Sequence, residues 1–326
     1  IVETASWLVR HPLVMSRFIR LRDVRHPPTV AEFAGIVGSE DRLTLLANLT
    51  WADIAAVNPH TWTPAQEIFL RELYEGTRAL LQGRAADPDP DRARKRLVRQ
   101  LRGVADESKV QAFADAVPAH YLLSTDPDWM SRHRAWAEIA PDGPVIDVRP
   151  DSEKGASDLT VVAVDRPGLL ADVLGTVYAF DLSVLAIRAA TAELSPPIAI
   201  DSLLVAFSGR VVPSSTADHF RNALAAVLRG ETAVDDLLRS RGKDPDRRQE
   251  VIRVVVRDGD PAAIEVRAPR GRGMPFRIAR AISARGFDIV SARVGQWAGS
   301  GAATFYVRHR RPTGDLREEV ARALEG

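Results

Sequence analysis

The sequence predicts a chain of the α + α/β class, with a helical first part followed by two copies of a small α/β unit. Three observations predict it. Residues 1–140 carry apolar residues at helical spacing, broken by proline and glycine, with almost no strand-like alternation. From residue 158 onward, strand-like runs alternate with helical patterns. That second part also repeats itself without a gap.

In the first part, helical patterns cover 1–20, about 29–37, 40–57, 64–82, 89–103, 108–116 and 127–139. The stretch 141–157, PDGPVIDVRPDSEKGAS, is rich in proline, glycine and charge and reads as a linker. The two units are expected over 158–240 and 250–326. Strand-like runs fall at 159–164, 183–190, 199–207, 251–256, 262–268, 287–294 and 302–308, and helical patterns at 168–179, 216–229, 274–285 and 314–324. Setting DRPGLLADVLGTVYAFDLSVLAIRAATA (from Asp165) beside RGRGMPFRIARAISARGFDIVSARVGQW (from Arg270) aligns Gly168 with Gly273, Leu169 with Met274, Val184 with Ile289 and Arg188 with Arg293. Each unit reads strand-helix-strand-strand-helix with room for a sixth element, the ferredoxin-like βαββαβ arrangement in tandem.

Composition narrows the function classes. The length of 326 residues favours two or three domains, and 45% apolar residues suffice for each to bury a core. Lys and Arg total 44 against 43 Asp and Glu, so no net field draws nucleic acid or an anionic membrane. Cysteine is absent, which excludes disulfides, thiolate zinc sites and a cysteine nucleophile. No apolar run approaches the roughly 20 residues of a membrane span, and no signal-peptide pattern is present. A cytoplasmic location is expected. The chain opens at Ile1 already inside an apolar periodic segment, which reads as a fragment of something longer.

The turn VVAVDRPGLLADVLGTV, residues 161–177, is the most informative stretch. Pro167 has its φ preset and lacks a donor that would be unsatisfied in a first turn, so it marks a helix start. Gly168 lets a ligand or neighbouring chain approach the backbone. Asp165 is placed to accept from the first free N–H groups of the helix. Two readings remain open: a binding turn for a small carboxylate or amino acid, or a plain capped turn.

These residues resemble the first turn of an ACT domain, a small βαββαβ module that binds amino acids between modules. Two such modules after a helical segment resemble the C-terminal part of the bifunctional PII uridylyltransferase/uridylyl-removing family. WLVRHPLVMS (7–16), RDVRHPPTVAEFAGIVGSEDRLTLLANLTWADI (22–54) and IFLRELYEGT (68–77) are similar to the latter half of that family's HD phosphohydrolase domain, and VPAHYLLSTDP (117–127) to its linker. The resemblance implies glutamine, or another small amino acid, at Asp165, Arg166, Pro167, Gly168, Leu169 and Leu170. It also implies PII protein as partner, ACT-mediated self-association, and Mg or Mn in the intact enzyme.

Asp53 is the candidate ligand in the helical part. On a helical wheel it lies about 20° from Leu46 and about 40° from Leu49, on the apolar stripe. A carboxylate there needs a metal or a cation such as Arg42 or Arg10. The resemblance implies the last aspartate of the HD metal set. His11 is the weaker candidate, because the family has two adjacent histidines where this chain has His11-Pro12. His26, His60 and His219 read as surface residues.

The remaining HD ligands and the nucleotidyltransferase motifs are absent from the chain, so it is expected to complete no catalytic centre and to hold no metal by itself. No P-loop, dinucleotide fingerprint or GxSxG elbow occurs. In the second unit Arg270-Gly271-Arg272-Gly273 replaces Asp-Arg-Pro-Gly, leaving Arg272, Gly273 and Met274 either a structural turn or a site for a more anionic group. The alternative to a regulatory fragment is a free-standing ACT-type amino-acid sensor.

Overall fold

The computed structural model describes residues 2–24, 27–57, 64–84, 89–101, 106–246, 250–257, 259–269, 271–297 and 300–309. The first part is helical: α1 (Val2–Arg10), α2 (Val14–Leu21), α3 (Pro27–Val37), α4 (Glu40–Val57), α5 (Pro64–Leu81), α6 (Pro90–Gln100), α7 (Glu107–Ala116), α8 (Ala119–Ser124) and α9 (Pro127–Ile139). The run expected over 1–20 is two helices, because Pro12 cannot donate to a helix and disfavours helical geometry at His11. Helix α8 lies inside the stretch 117–127 and is too short for apolar spacing to reveal.

The stretch 141–157, expected as a linker, carries strand β1 (Val145–Asp151) and the start of β2 (Ala156–Val164), an antiparallel hairpin in register from Val145↔Val162 to Asp151↔Ala156. Pro150 masks this strand in the sequence. It is tolerated because β1 is an edge strand, where a missing ladder donor can face away from the sheet. The first unit continues with α10 (Leu169–Ala179), β3 (Leu182–Ala192), β4 (Ile198–Phe207), α11 (Ser214–Leu228) and α12 (Val234–Ser240). The second has β5 (Arg253–Arg257), β6 (Ala262–Ala268), α13 (Met274–Ala284), β7 (Phe287–Trp297) and β8 (Ser300–His309). In the first unit the sixth element is thus a strand, β1, placed before the βαββ core, and β5 stands in the same place in the second. The helix expected over 314–324, together with Arg270, His26 and His60, lies outside the described residues.

All eight strands form one antiparallel sheet in the order β1-β2-β4-β3-β7-β8-β6-β5. The units join edge to edge through Ala186↔Arg293, Ile187↔Ala292 and Arg188↔Ser291. In the gapless alignment Arg188 corresponds to Arg293 and Ala186 to Ser291, so this pairing maps onto itself as an approximate twofold. The sheet is buried on both faces. Ala199, Leu203 and Val205 of β4 join the core under α10–α13, while Ile198 and Ile200 face α6–α9. On that second face the Phe69 ring of α5 lies 3.3 Å from the Arg293 guanidinium carbon, and the Thr29 hydroxyl of α3 meets the Tyr306 hydroxyl of β8 at 3.3 Å. The helical part therefore covers the sheet, giving three layers.

No helix among the described residues is long and apolar enough to cross a membrane.

Candidate functional site

The turn after β2 is built differently from the capped turn expected. Helix α10 begins at Leu169, and Gly168, at φ +81°, occupies the cap position without a side chain. Only glycine takes this left-handed conformation freely, and a Cβ there would meet no atom within 4 Å. Backbone conformation, not crowding, fixes the glycine. Gly168→Ala is expected to lower stability by about 1–2 kcal/mol, the left-handed penalty for an L residue, as read by chemical denaturation.

Asp165 does not cap α10. Its N–H donates to the Pro197 carbonyl at 2.8 Å, and its Oδ2 accepts from the Thr191 hydroxyl of β3 at 2.9 Å. The intervening residues 166 and 167 carry its carboxylate away from the helix start and toward the strands. Arg166 pairs with Asp172. Leu169 and Leu170 are buried and anchor the turn in the core. The first N–H groups of α10 consequently receive no side-chain cap, and the positive end of the helix dipole is open.

That open end faces a cleft of about 790 Å³. Its walls are the 165–170 turn, the Ala189–Thr191 end of β3 and, from the second unit, Phe287, Asp288 and Ile289. The cleft exists because β3 and β7 pair only at 186–188 and 291–293 and then part. A register shift of β7 against β8 between Ile289 and Ser291 lies at the point of divergence.

Asp201, also lining the cleft, was not singled out from the sequence. It sits mid-strand on β4, opposite Ala189 of β3 and Val161 of β2, and is only 3% exposed. Its Oδ2 has no hydrogen-bond partner. Burial, and secondly the nearby Asp165 charge, push its carboxyl up to about 8. The signal was present: IAIDSLLVAF places one carboxylate inside an otherwise apolar run, where both faces of a strand are buried.

The corresponding position in the second unit is closed. Arg272 pairs with Asp181 at 3.2 Å, and Lys243 reaches the same carboxylate at 2.6 Å. A Cβ on Gly273 would come within 2.9 Å of the Tyr178 ring, and Met274 is buried. In the alignment Asp181 stands where the first unit's cleft has Gly286. Strand register likewise sets Ala303, opposite Val294, at the place of Asp201, opposite Ala189.

The metal candidates are not brought together. Asp53 is exposed, and the buried stripe of α4 runs through Leu43, Leu46, Ala47, Thr50 and Ile54. Asp53 lies about 80° from the centre of that stripe, at its edge, so the expected core position is corrected. Arg42 pairs with Glu3 and Arg10 donates to the Ser6 carbonyl. The His11 Nδ1 donates to the Trp7 carbonyl at 2.9 Å, and its ring stacks on Trp7. Among the described residues no group of three or more His, Cys, Asp or Glu could hold a metal ion. They do not fit the divalent ion that the resemblance implies. His219 is exposed.

No family model matches the chain. It is 29% identical to the bifunctional uridylyltransferase/uridylyl-removing enzyme of Phenylobacterium zucineum over 94% of the chain and 34% of that protein. It is 28% identical to the enzyme of the same description from Rhodospirillum rubrum over 99% of the chain and 37% of that protein. A third, from Bordetella pertussis, is 33% identical over 74% of the chain and 27% of its own length. The chain spans about a third of the length of these relatives.

Proposed function

The chain is a homologue of the bifunctional uridylyltransferase/uridylyl-removing enzymes, and from that premise we propose that it is the C-terminal regulatory part of such an enzyme. Glutamine is the proposed effector, PII signal protein the proposed target of the intact enzyme, and the cytoplasm the proposed location. The observation that carries this reading is the cleft between the two ACT-like units, with an uncapped helix start on one wall and Asp165 and Asp201 beside it. A free amino acid carries an anionic and a cationic end about one residue apart, and the cleft offers a helix dipole for the first and carboxylates for the second.

Regulation on this reading is a coupling free energy, typically about 1–3 kcal/mol, supplied by tighter glutamine binding to one conformation than to the other. The joint between units is suited to transmit it, because the strands that part to form the cleft also hold the units together. The divalent ion belongs in this proposal to the HD centre of the intact enzyme.

Calorimetric titration with the twenty amino acids tests the reading. Selective binding of L-glutamine is expected, weakened in Asp165→Ala, which loses the carboxylate held by Thr191. Absence of binding by any of them would sink it.

A further inference from the structure

A buried mid-strand carboxyl with one oxygen left unpartnered calls for another use. Asp201 is buried, its Oδ2 is without a partner, and it lines the cleft. A buried polar atom left unsatisfied costs about 1–3 kcal/mol, so a strand needing only a filler would carry an apolar residue here. The second unit does so, with Ala303 at the corresponding register.

The surroundings specify what Asp201 lacks. The charge that acts on it in the cleft is that of Asp165, which comes from the adjoining turn and opposes ionisation of Asp201. The basic residues around the cleft are spent elsewhere: Arg166 on Asp172 and Arg308 on Asp260. The His120 Nε2 lies 3.1 Å from the Ala189 carbonyl. Glu193 and Asp288 add acidic groups at the rim. Burial first, and the Asp165 charge second, keep a proton on Asp201 unless a cation enters beside it.

We propose that Asp201 is the group that recognises a primary ammonium in this cleft, the ligand amine entering between Asp201 and Asp165 and displacing the Asp201 proton to solvent. The step balances: a neutral carboxyl and an ammonium give a carboxylate–ammonium pair and one free proton. With the ligand carboxylate at the open start of α10, the cleft is complementary to a zwitterion. The proposal rests on the reading of the cleft as an amino-acid site and adds its ammonium-binding residue and a proton coupling.

The test titrates the 326-residue chain at pH 7 with L-glutamine and with its deamino analogue 4-carbamoylbutanoate, in phosphate and in Tris. The two buffers' ionisation heats count the protons released. Since Asp201 titrates near 8 in the empty cleft, L-glutamine is expected to release close to one proton and the deamino analogue none. Asp201→Asn is expected to weaken L-glutamine at least tenfold, to abolish its proton release, and to leave the deamino analogue unchanged.

Binding of L-glutamine with no proton released, or with unchanged affinity in Asp201→Asn, overturns the assignment while the cleft reading stands. Failure of every amino acid to bind the unaltered chain overturns both. The comparison of amine with deamino ligand and the proton count use the unaltered chain, so a variant that fails to fold does not blunt the test.

Discussion

Replacing Asp201 by asparagine is expected to stabilise the ligand-free chain, modestly at pH 5 and much more at pH 8. The direction follows from proton linkage. Asp201 titrates near 8 in the folded chain, against an ordinary value of 3.8. Between those limits the folded state holds a proton that the unfolded state has lost. Stability therefore falls as pH rises through the window, by at most about 1.4 kcal/mol per unit, and the loss is complete above the folded value. An amide is neutral throughout. At pH 5, about one unit inside the window, the unfolded chain has already lost its proton, and the amide's advantage is about 1–2 kcal/mol. At pH 8 nearly the whole window has been crossed, and the gain is expected to exceed that at pH 5 by up to about 4 kcal/mol, three pH units at that slope. Calorimetric melting from pH 5 to 8 checks this: the unaltered chain should lose stability across the range more steeply than the variant. Parallel curves would show that Asp201 is solvated or paired in solution. A residue whose replacement stabilises the fold, while weakening ligand, is one retained for function rather than folding.

Much of this site was legible in the sequence, and what was not has physical reasons. The Asp-Arg-Pro-Gly turn announced itself because a β-branched run met an amphipathic run across a glycine, and the structure puts that glycine in the left-handed region. The role of Asp165 was not legible. Whether a carboxylate turns to the helix behind it or to the strand beside it depends on Thr191, 26 residues away. Asp201 was overlooked since a lone acidic residue in a strand looks like a solvent-facing position until both sheet faces are known to be covered. Asp201 shares the face of Ala199 and Leu203, whose core is built by both units together, and a pattern read one unit at a time does not show that joint cover. Asp53 failed in the opposite sense. Its wheel angle was close to that of Leu46, but the stripe is centred nearer Leu43, Thr50 and Ile54, and a shift of less than one residue moves an edge position into solvent. Strand β1 was hidden by Pro150, whose meaning depends on whether the strand lies at an edge.

The joint between the two units gives the second large effect. Gly175 lies in the middle of α10, where a Cβ would stand 2.5 Å from a Val234 methyl on α12 and 3.0 Å from the Phe276 ring on α13. On propensity alone, alanine here would gain about 1 kcal/mol over glycine. Packing opposes it: Phe276 is 1% exposed and part of the core shared by both units, so the ring has little room to retreat. Overpacking typically costs about 1–3 kcal/mol, which sets Gly175→Ala near neutral to destabilising and Gly175→Leu at the upper end or beyond. The consequence reaches the cleft. Helices α10 and α13 pack across the same junction that β3 and β7 bridge with only three residue pairs, so pushing the helices apart strains that short ladder and widens the opening where the strands part. Gly175→Leu is therefore expected to lower the melting temperature and to weaken L-glutamine together, although Gly175 does not line the cleft. Unchanged melting in Gly175→Leu would mean that the units meet through the strands alone. Lower melting with intact glutamine affinity would mean that the cleft is held by the turn and β4 without help from the helix contact, and that the helix layer does not carry the coupling between ligand and the rest of the enzyme.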